Sequence, residues 1–570
     1  MSDGEGDWSF YLRTVSNSAR ESNVSNDPAS DPSLLHALKK LCDVCRQDEK
    51  SSEDLVARVY PHLNKLFQRS VASLYQSSTS NGLLLLVILQ FFLDFGEMVL
   101  HDADPSLQIF IRSCLTREYA NPAVAAATLD FLYVNKKKLL ISFPNLLPQF
   151  FPLLLKLIAW NGEKLEKPFL KVFPGLVSPG SFLPLFPSLV DLPILVVALE
   201  KVERRSGLQK GNNVASTQKS KAPEMLLALM DEAYTGTNIG DGGGDSSKGS
   251  STRDAPDPLF RELLKDENDG LSELHWASPG VAAVLQAVKN SPQSDRLKQI
   301  LNIAPRLLDA YFTIALRDAN NSLICALIPI LMTRYSMMFP NKNYMYKTRQ
   351  RLLEFMLAAF QHSPGFIALL KKPIIDRLGD VYESTEKTEL ALQLCWAVGE
   401  HGGGGGAHKD VARELFESLE LLLYENLSSS RLGPKQESEV NSNHRNLTKS
   451  SQSRLLCFVI TAIAKLATHH RELLLRASVA LVKVARSRIS DSRVKRRAQD
   501  YLGLMDEPGI CLSVLGPSRP SNGLVHHPGT VNWIEGGTKM VAHIPFYILG
   551  EQEGPPFHDF LFSDVLPGRR

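Results

Sequence analysis

Apolar residues recur every three or four positions through most of this chain, and that period constrains the fold more than any other feature. Leu297, Ile300, Leu301, Ala304, Leu308, Tyr311, Phe312 and Ala315 trace one face of a long amphipathic helix, because side chains three and four apart share one side of an α-helix. Similar stripes run through residues 55–74, 123–134, 323–335, 352–360 and 455–467. Between them sit short breakers: DADPS from Asp102, REYANP from Arg117, FPNKN from Phe339 and HSPG from His362. Breakers about 15–25 residues apart produce helical hairpins of roughly 40 residues, the scale of HEAT and armadillo repeats. No strict consensus joins the units, so the sequence predicts an all-α, degenerate HEAT/armadillo-like α-solenoid. Alternating strand patterns are scarce before residue 506, and the strand–helix alternation of an α/β enzyme is missing.

A chain of 570 residues exceeds what one compact core holds, so an array or several domains are required. The expected organisation is an N-terminal solenoid half over residues 1–204, a polar segment over 205–257, a second half over 258–505, and a tail over 506–570. The 205–257 segment is rich in Gly, Ser and Lys, with one apolar run, APEMLLALMDEAY; such a composition predicts a disordered loop with a transient helix. Residues 427–453 read as a shorter flexible loop. Stripes resume after each, so these are insertions in an array or joints between halves. Prolines 144, 148, 152, 168, 174, 179, 184, 187 and 193 predict short helices opened or ended by proline. In the tail, PGICLSVLGPSRPSNG and TVNWIEGGTKMVAHIPFYILG mix β-branched and aromatic runs with Gly and Pro, which predicts a short strand-containing cap.

The N-terminus, MSDGEGDWSF, is acidic and has no apolar signal region. The most membrane-like stretch, residues 82–100, is interrupted by Gln90, Asp94 and Glu97, and each central charge costs roughly 2.5–3.5 kcal/mol on insertion. Residues 139–155 carry no acid but hold three prolines. Both read as buried helices, and any membrane contact is expected to be peripheral. Seven cysteines, mostly inside apolar segments, point to a reducing compartment. Cys42 and Cys45 form a CxxC whose next cysteine is Cys114; without a second ligand pair nearby they read as core thiols, with redox or metal chemistry the lesser alternative.

GEHGGGGGAHKD, ending at Asp410, is the one glycine-rich loop that invites a phosphate reading. A phosphate loop needs Ser or Thr after its lysine, and a strand before the glycines. Here Asp410 follows Lys409, and the preceding ELALQLCWAV is helical in pattern, so the glycines end one helix and free the chain to reverse. The pairs His469–His470 and His526–His527 are adjacent and point apart on a helix. No catalytic or metal signature is present, so no catalytic, cofactor-binding or metal-ligating residue is assigned and no cofactor is expected. LALMD, ending at Asp231, approaches a clathrin-box pattern, but Ala228 stands where bulk is needed. The basic stretch from Arg454 to Arg497 holds eleven Lys or Arg against Glu472 and Asp491 on a chain of net charge +2. The stretch reads first as a solvated helix face; its end, with Arg486, Arg488, Arg493, Lys495, Arg496 and Arg497, is alternatively a candidate contact for a partner or acidic lipid. The alternative is a HEAT-type scaffold for nuclear transport or DNA repair that uses these residues. Nucleic acid is disfavoured because no aromatics are interleaved for base stacking.

LQLCWAVGEHG resembles the tryptophan-containing helix of adaptin large-subunit trunks, with Trp396, Gly399 and Glu400 in matching positions and His401 replacing the usual tyrosine. A buried indole would anchor the hairpin, and the glycine would let a neighbouring helix approach. From DWSFYLRTVSNSARES through NWIEGGTKMVAHIPFYILGEQEG, the whole chain resembles the zeta-type large subunits of the fifth adaptor protein complex in their plant form. The resemblance implies a non-catalytic large subunit of a heterotetramer with beta-type, medium and small adaptor subunits. It further implies association with spatacsin-like and spastizin-like proteins and peripheral attachment to late endosomes and lysosomes from the cytoplasm, in vesicle-mediated protein transport. Other adaptin large chains continue through a hinge into an appendage domain; here only the tail after Asp506 stands in that place, which leaves appendage functions without a candidate.

Overall fold

The computed structural model describes residues 5–20, 32–47, 52–74, 80–209, 293–382, 385–403, 409–429, 442–487 and 491–515. Nearly all of them are helical, and none among the described residues lies in a strand. The chain divides into two compact units, one running to Ile314 and the other from Ala315.

In the first unit the helices are α1 (Glu5–Arg20), α2 (Pro32–Gln47), α3 (Ser52–Ser73), α4 (Gly82–Phe95), α5 (Ala103–Ile109), α6 (Pro122–Val134), α7 (Lys136–Ser142), α8 (Leu146–Asn161), α9 (Glu163–Val172), α10 (Phe182–Val190), α11 (Leu192–Gln209) and most of α12 (Asp295–Asp318). The breakers act as helix starts. Asp102 accepts from the Asp104 amide and Asn121 from the Ala123 amide, each satisfying a first-turn donor, with Pro122 set as the first residue of α6. Gly82 packs against Val124, and Gln90 bonds to Asn135 at the other end. These two contacts hold α4 and α6 parallel with α5 turned between them, the arrangement of a helical repeat. α4 covers most of the membrane-like stretch, but Leu84, Leu85, Ile88, Leu89, Phe91 and Phe92 are buried against α2, α3 and α6, so it is a core helix here.

The proline-rich region departs from expectation. α7, α9 and α10 are short, but α8 and α11 run 16 and 18 residues, and Pro152, Pro168 and Pro187 lie inside helices rather than at their ends. A proline inside a helix costs about 3 kcal/mol, and burial of Phe150, Phe151, Phe169 and Phe186 outweighs that. After Gln209 the chain is back on the same unit by α12. Arg296 lies 3.6 Å over the Trp160 ring, donates to the Trp160 carbonyl at 2.7 Å and pairs with Glu200. Farther along, Arg306 pairs with Glu166, and Tyr311 donates to the Phe182 carbonyl. The chain thus returns to the same unit by α12, and the division between units falls within α12.

The second unit holds α13 (Asn321–Arg334), α14 (Lys342–His362), α15 (Lys371–Gly379), α16 (Thr385–His401), α17 (Lys409–Ser429), α18 (Ser442–His469), α19 (Leu474–Arg486), α20 (Ser492–Met505) and α21 (Pro508–Leu515). Two expectations are corrected. The flexible loop over 427–453 is helical at both ends, α17 reaching Ser429 and α18 starting at Ser442. PGICLSVL, read as part of a strand-containing tail, is helical: Pro508 suits a first helical position, and Cys511 and Leu515, four apart, are both buried as α21 packs on α18 and α20. Burial on a helical face overrides β-propensity here. The rest of the tail, residues 516–570, lies outside the described residues.

Candidate functional site

The adaptin-like motif lies on α16, which packs directly on α18 and runs parallel to it, α17 joining the two in sequence. Arg454 of α18 bonds to Glu389 of α16 at 2.7 Å, and Lys465 pairs with Glu400 about three turns farther along. Both partners of the second pair are sequestered, with side chains 2% and 4% exposed. Between these ties the helices come as close as backbone permits: a Cβ on Gly399 would lie 2.9 Å from Ala462 Cα. Gly402 and Gly403 continue the contact against Leu466 and His469. The first two residues of the glycine run therefore pack on α18, while residues 404–408 lie outside the described residues.

Gly399 has the close-approach role its residue type predicts. Glu400 does more than match a motif, because it neutralises a lysine inside the unit. Trp396 differs from expectation: it is half-buried rather than buried. Its indole nitrogen is enclosed with no hydrogen-bond partner among the described residues, and its ring meets His401 edge-on at 5.8 Å. Gln393, one turn earlier and fully buried, has neither amide atom paired among the described residues.

The basic stretch is less charged than it reads. Arg454 and Lys465 are spent on α16, and Arg476 on Glu417 and Glu420 of α17 at 3.0 and 2.7 Å. Of the candidate contact residues, Arg486, Arg493 and Arg496 are exposed and Lys495 is half-buried. Arg497 turns inward and donates to the Tyr501 hydroxyl, which also bonds to Thr461 of α18. Arg488 lies outside the described residues. α19 and α20 thus bring Arg486, Arg493 and Arg496 to the surface and take Arg497 into a structural role.

Cys42 and Cys45 are both buried on α2. Burial pushes their thiols up to about 12 and about 11, against the opposing pull of Arg46; thiols held this way are poor nucleophiles and poor metal ligands at neutral pH. Among the described residues no group of three or more His, Cys, Asp or Glu is placed to hold a metal ion.

Stacked helix pairs joined by a close glycine contact, a buried ion pair and a half-buried one define an all-α helical-repeat protein. Family comparison narrows the class. A family described as "AP-5 complex subunit, vesicle trafficking" matches residues 29–156, and one described as "AP-5 complex subunit zeta-1, C-terminal TPR repeats" matches residues 247–533. The chain belongs to the AP-5 complex zeta subunit family. The AP-5 complex subunit zeta-1 proteins of Mus musculus and Homo sapiens are 23% and 24% identical to it over 498 and 508 residues, covering 85% of this chain. The chain spans about half the length of these curated relatives, 55% of each. No solved structure matches it.

Proposed function

We propose that this chain is a non-catalytic large subunit of a heterotetrameric adaptor complex that works in endosomal vesicle-mediated protein transport. The observation that carries this reading is the zeta-1 family match over residues 247–533, a region whose described residues are helical pairs. The chain would act by shape, presenting its helical array to the beta-type, medium and small adaptor subunits; permanent interfaces of this kind bury on the order of 2,000–5,000 Å². It would work in the cytoplasm at the periphery of late endosomes and lysosomes, beside spatacsin-like and spastizin-like proteins, without nucleic acid or cofactor. Gly399 and Glu400 would keep α16 seated on α18, and the exposed arginines 486, 493 and 496 would serve as a partner or acidic-lipid contact.

The test is affinity purification of the tagged chain from its own cells at moderate salt, with identification of co-eluting chains. Beta-type, medium and small adaptor subunits in stoichiometric amounts are expected. Their reproducible absence would overturn the reading.

A further inference from the structure

We propose that the surface formed by the end of α6, helix α7 and the outer face of α9 docks onto an anionic lipid bilayer. Val134 and Ile141 are 73% and 80% exposed, with Tyr133 and Leu140 beside them at 47% and 39%. These are large apolar groups in the last turn of α6 and in α7, exposed to solvent. The three elements share one surface: Lys171 Nζ of α9 lies 5.1 Å from the Tyr133 ring of α6. Leu140 of α7 reaches towards Gly175, just after α9.

The charge around these side chains selects the occupant. Lys136, Lys137, Lys167 and Lys171 surround or adjoin the apolar tips, and none of the four forms an ion pair with a described residue. Other cations of the unit differ among themselves: Arg46, Arg296 and Arg306 pair with Asp94, Glu200 and Glu166, whereas exposed Lys39, Lys40 and Lys65 form no ion pair with a described residue. Lys138 is used differently, donating to the Leu93 carbonyl to hold α7 against α4. Exposed Asp130 lies one turn before Val134, and the turn after α4 carries exposed Glu97 and Asp102, which limits the patch on that side. Aliphatic tips that enter the acyl boundary, a tyrosine at headgroup depth and unmatched lysines are the complement of a surface with negative headgroups. The site is distinct from the arginines of α19 and α20.

The experiment is co-sedimentation of the full chain, in the assembly with which it purifies, with vesicles of phosphatidylcholine alone or containing phosphatidylserine. The chain pellets with the phosphatidylserine vesicles, less as salt is raised, and not with phosphatidylcholine alone. The double change Lys136→Glu with Lys137→Glu lowers the partition coefficient by about 10-fold or more. Val134→Ser with Ile141→Ser lowers it by roughly 10-fold. Arg493→Glu with Arg496→Glu leaves it unchanged. The substituted side chains in the patch are exposed or half-exposed, so melting stays at the wild-type value. Wild-type binding by both patch variants overturns the proposal, as does failure of the unmodified assembly to bind phosphatidylserine. Loss of a co-purifying chain by the patch variants, without loss of lipid binding, assigns the surface to an acidic protein instead. The co-elution of adaptor subunits is read separately, so the two proposals stand or fall apart.

Discussion

The interiors of the two units are held in different ways. Around α8 to α10, the first unit packs Phe150, Leu154, Phe169, Phe173 and Phe186, all fully buried, in a mainly aromatic interior that also takes in Lys156 of α8 and Asp191. Where α16 meets α18, the second unit buries a glutamate against a lysine beside a glycine that touches backbone. Apolar filling tolerates exchange among side chains of similar volume, whereas a buried ion pair does not tolerate loss of one member alone. The difference teaches that α16 and α18 are specified in register, while the aromatic core is specified in volume.

The largest expected effect breaks the ion pair. Lys465→Ala strands Glu400 in the interior and should lower unfolding free energy by about 3–5 kcal/mol, read by denaturant melts of the purified chain. Replacing both residues, Glu400→Leu with Lys465→Met, should restore most of the loss. If the single variant melts like wild type, the pair is not a constraint on register.

Next comes the glycine contact. Gly399→Ala gains helix propensity but drives a methyl against the Ala462 backbone, and should cost about 1–3 kcal/mol net. Gly503 of α20 is the control, since nothing lies within 4 Å of an added Cβ; Gly503→Ala should stabilise by about 0.5–1 kcal/mol. Equal shifts in the two variants would remove the close approach from the account. In the aromatic core, Leu154→Met should cost less than about 1.5 kcal/mol; a larger loss would mean that the first unit is as exacting as the second.

The smallest effect concerns α2 and leaves stability untouched. With folded pKa values near 12 and 11, Cys42 and Cys45 hold almost no thiolate at neutral pH. Alkylation, followed by mass shift, should be about 100-fold slower than in the unfolded chain and should accelerate only as pH climbs towards those values. Rapid labelling of the native protein would contradict their place in the core.

Local features were readable from sequence, and pairings were not. The stripe from Leu297 to Ala315 predicted one buried face, and every residue of it is buried, because helical period is a local property. Asp102, Asn121 and Asn341 stand in the predicted breakers and cap the helices that follow by local hydrogen bonds. Lys465 and Arg454 read as parts of a solvated basic face; their partners on α16 are 65 residues away, and no local pattern announces them. The helix over Pro508–Leu515 escaped for the same reason, since α18 and α20 supply the surface that makes it helical. Trp396 looked like an anchor by residue type, yet its partial exposure depends on how α16 sits among neighbours distant in sequence.

The claim on which the account rests is assembly with adaptor subunits, and native mass measurement of the purified complex tests it most directly. The account predicts one species containing this chain with single copies of a beta-type, a medium and a small subunit, unchanged as ionic strength is raised. A chain that flies alone, or that travels with nucleic acid released by salt, would contradict it.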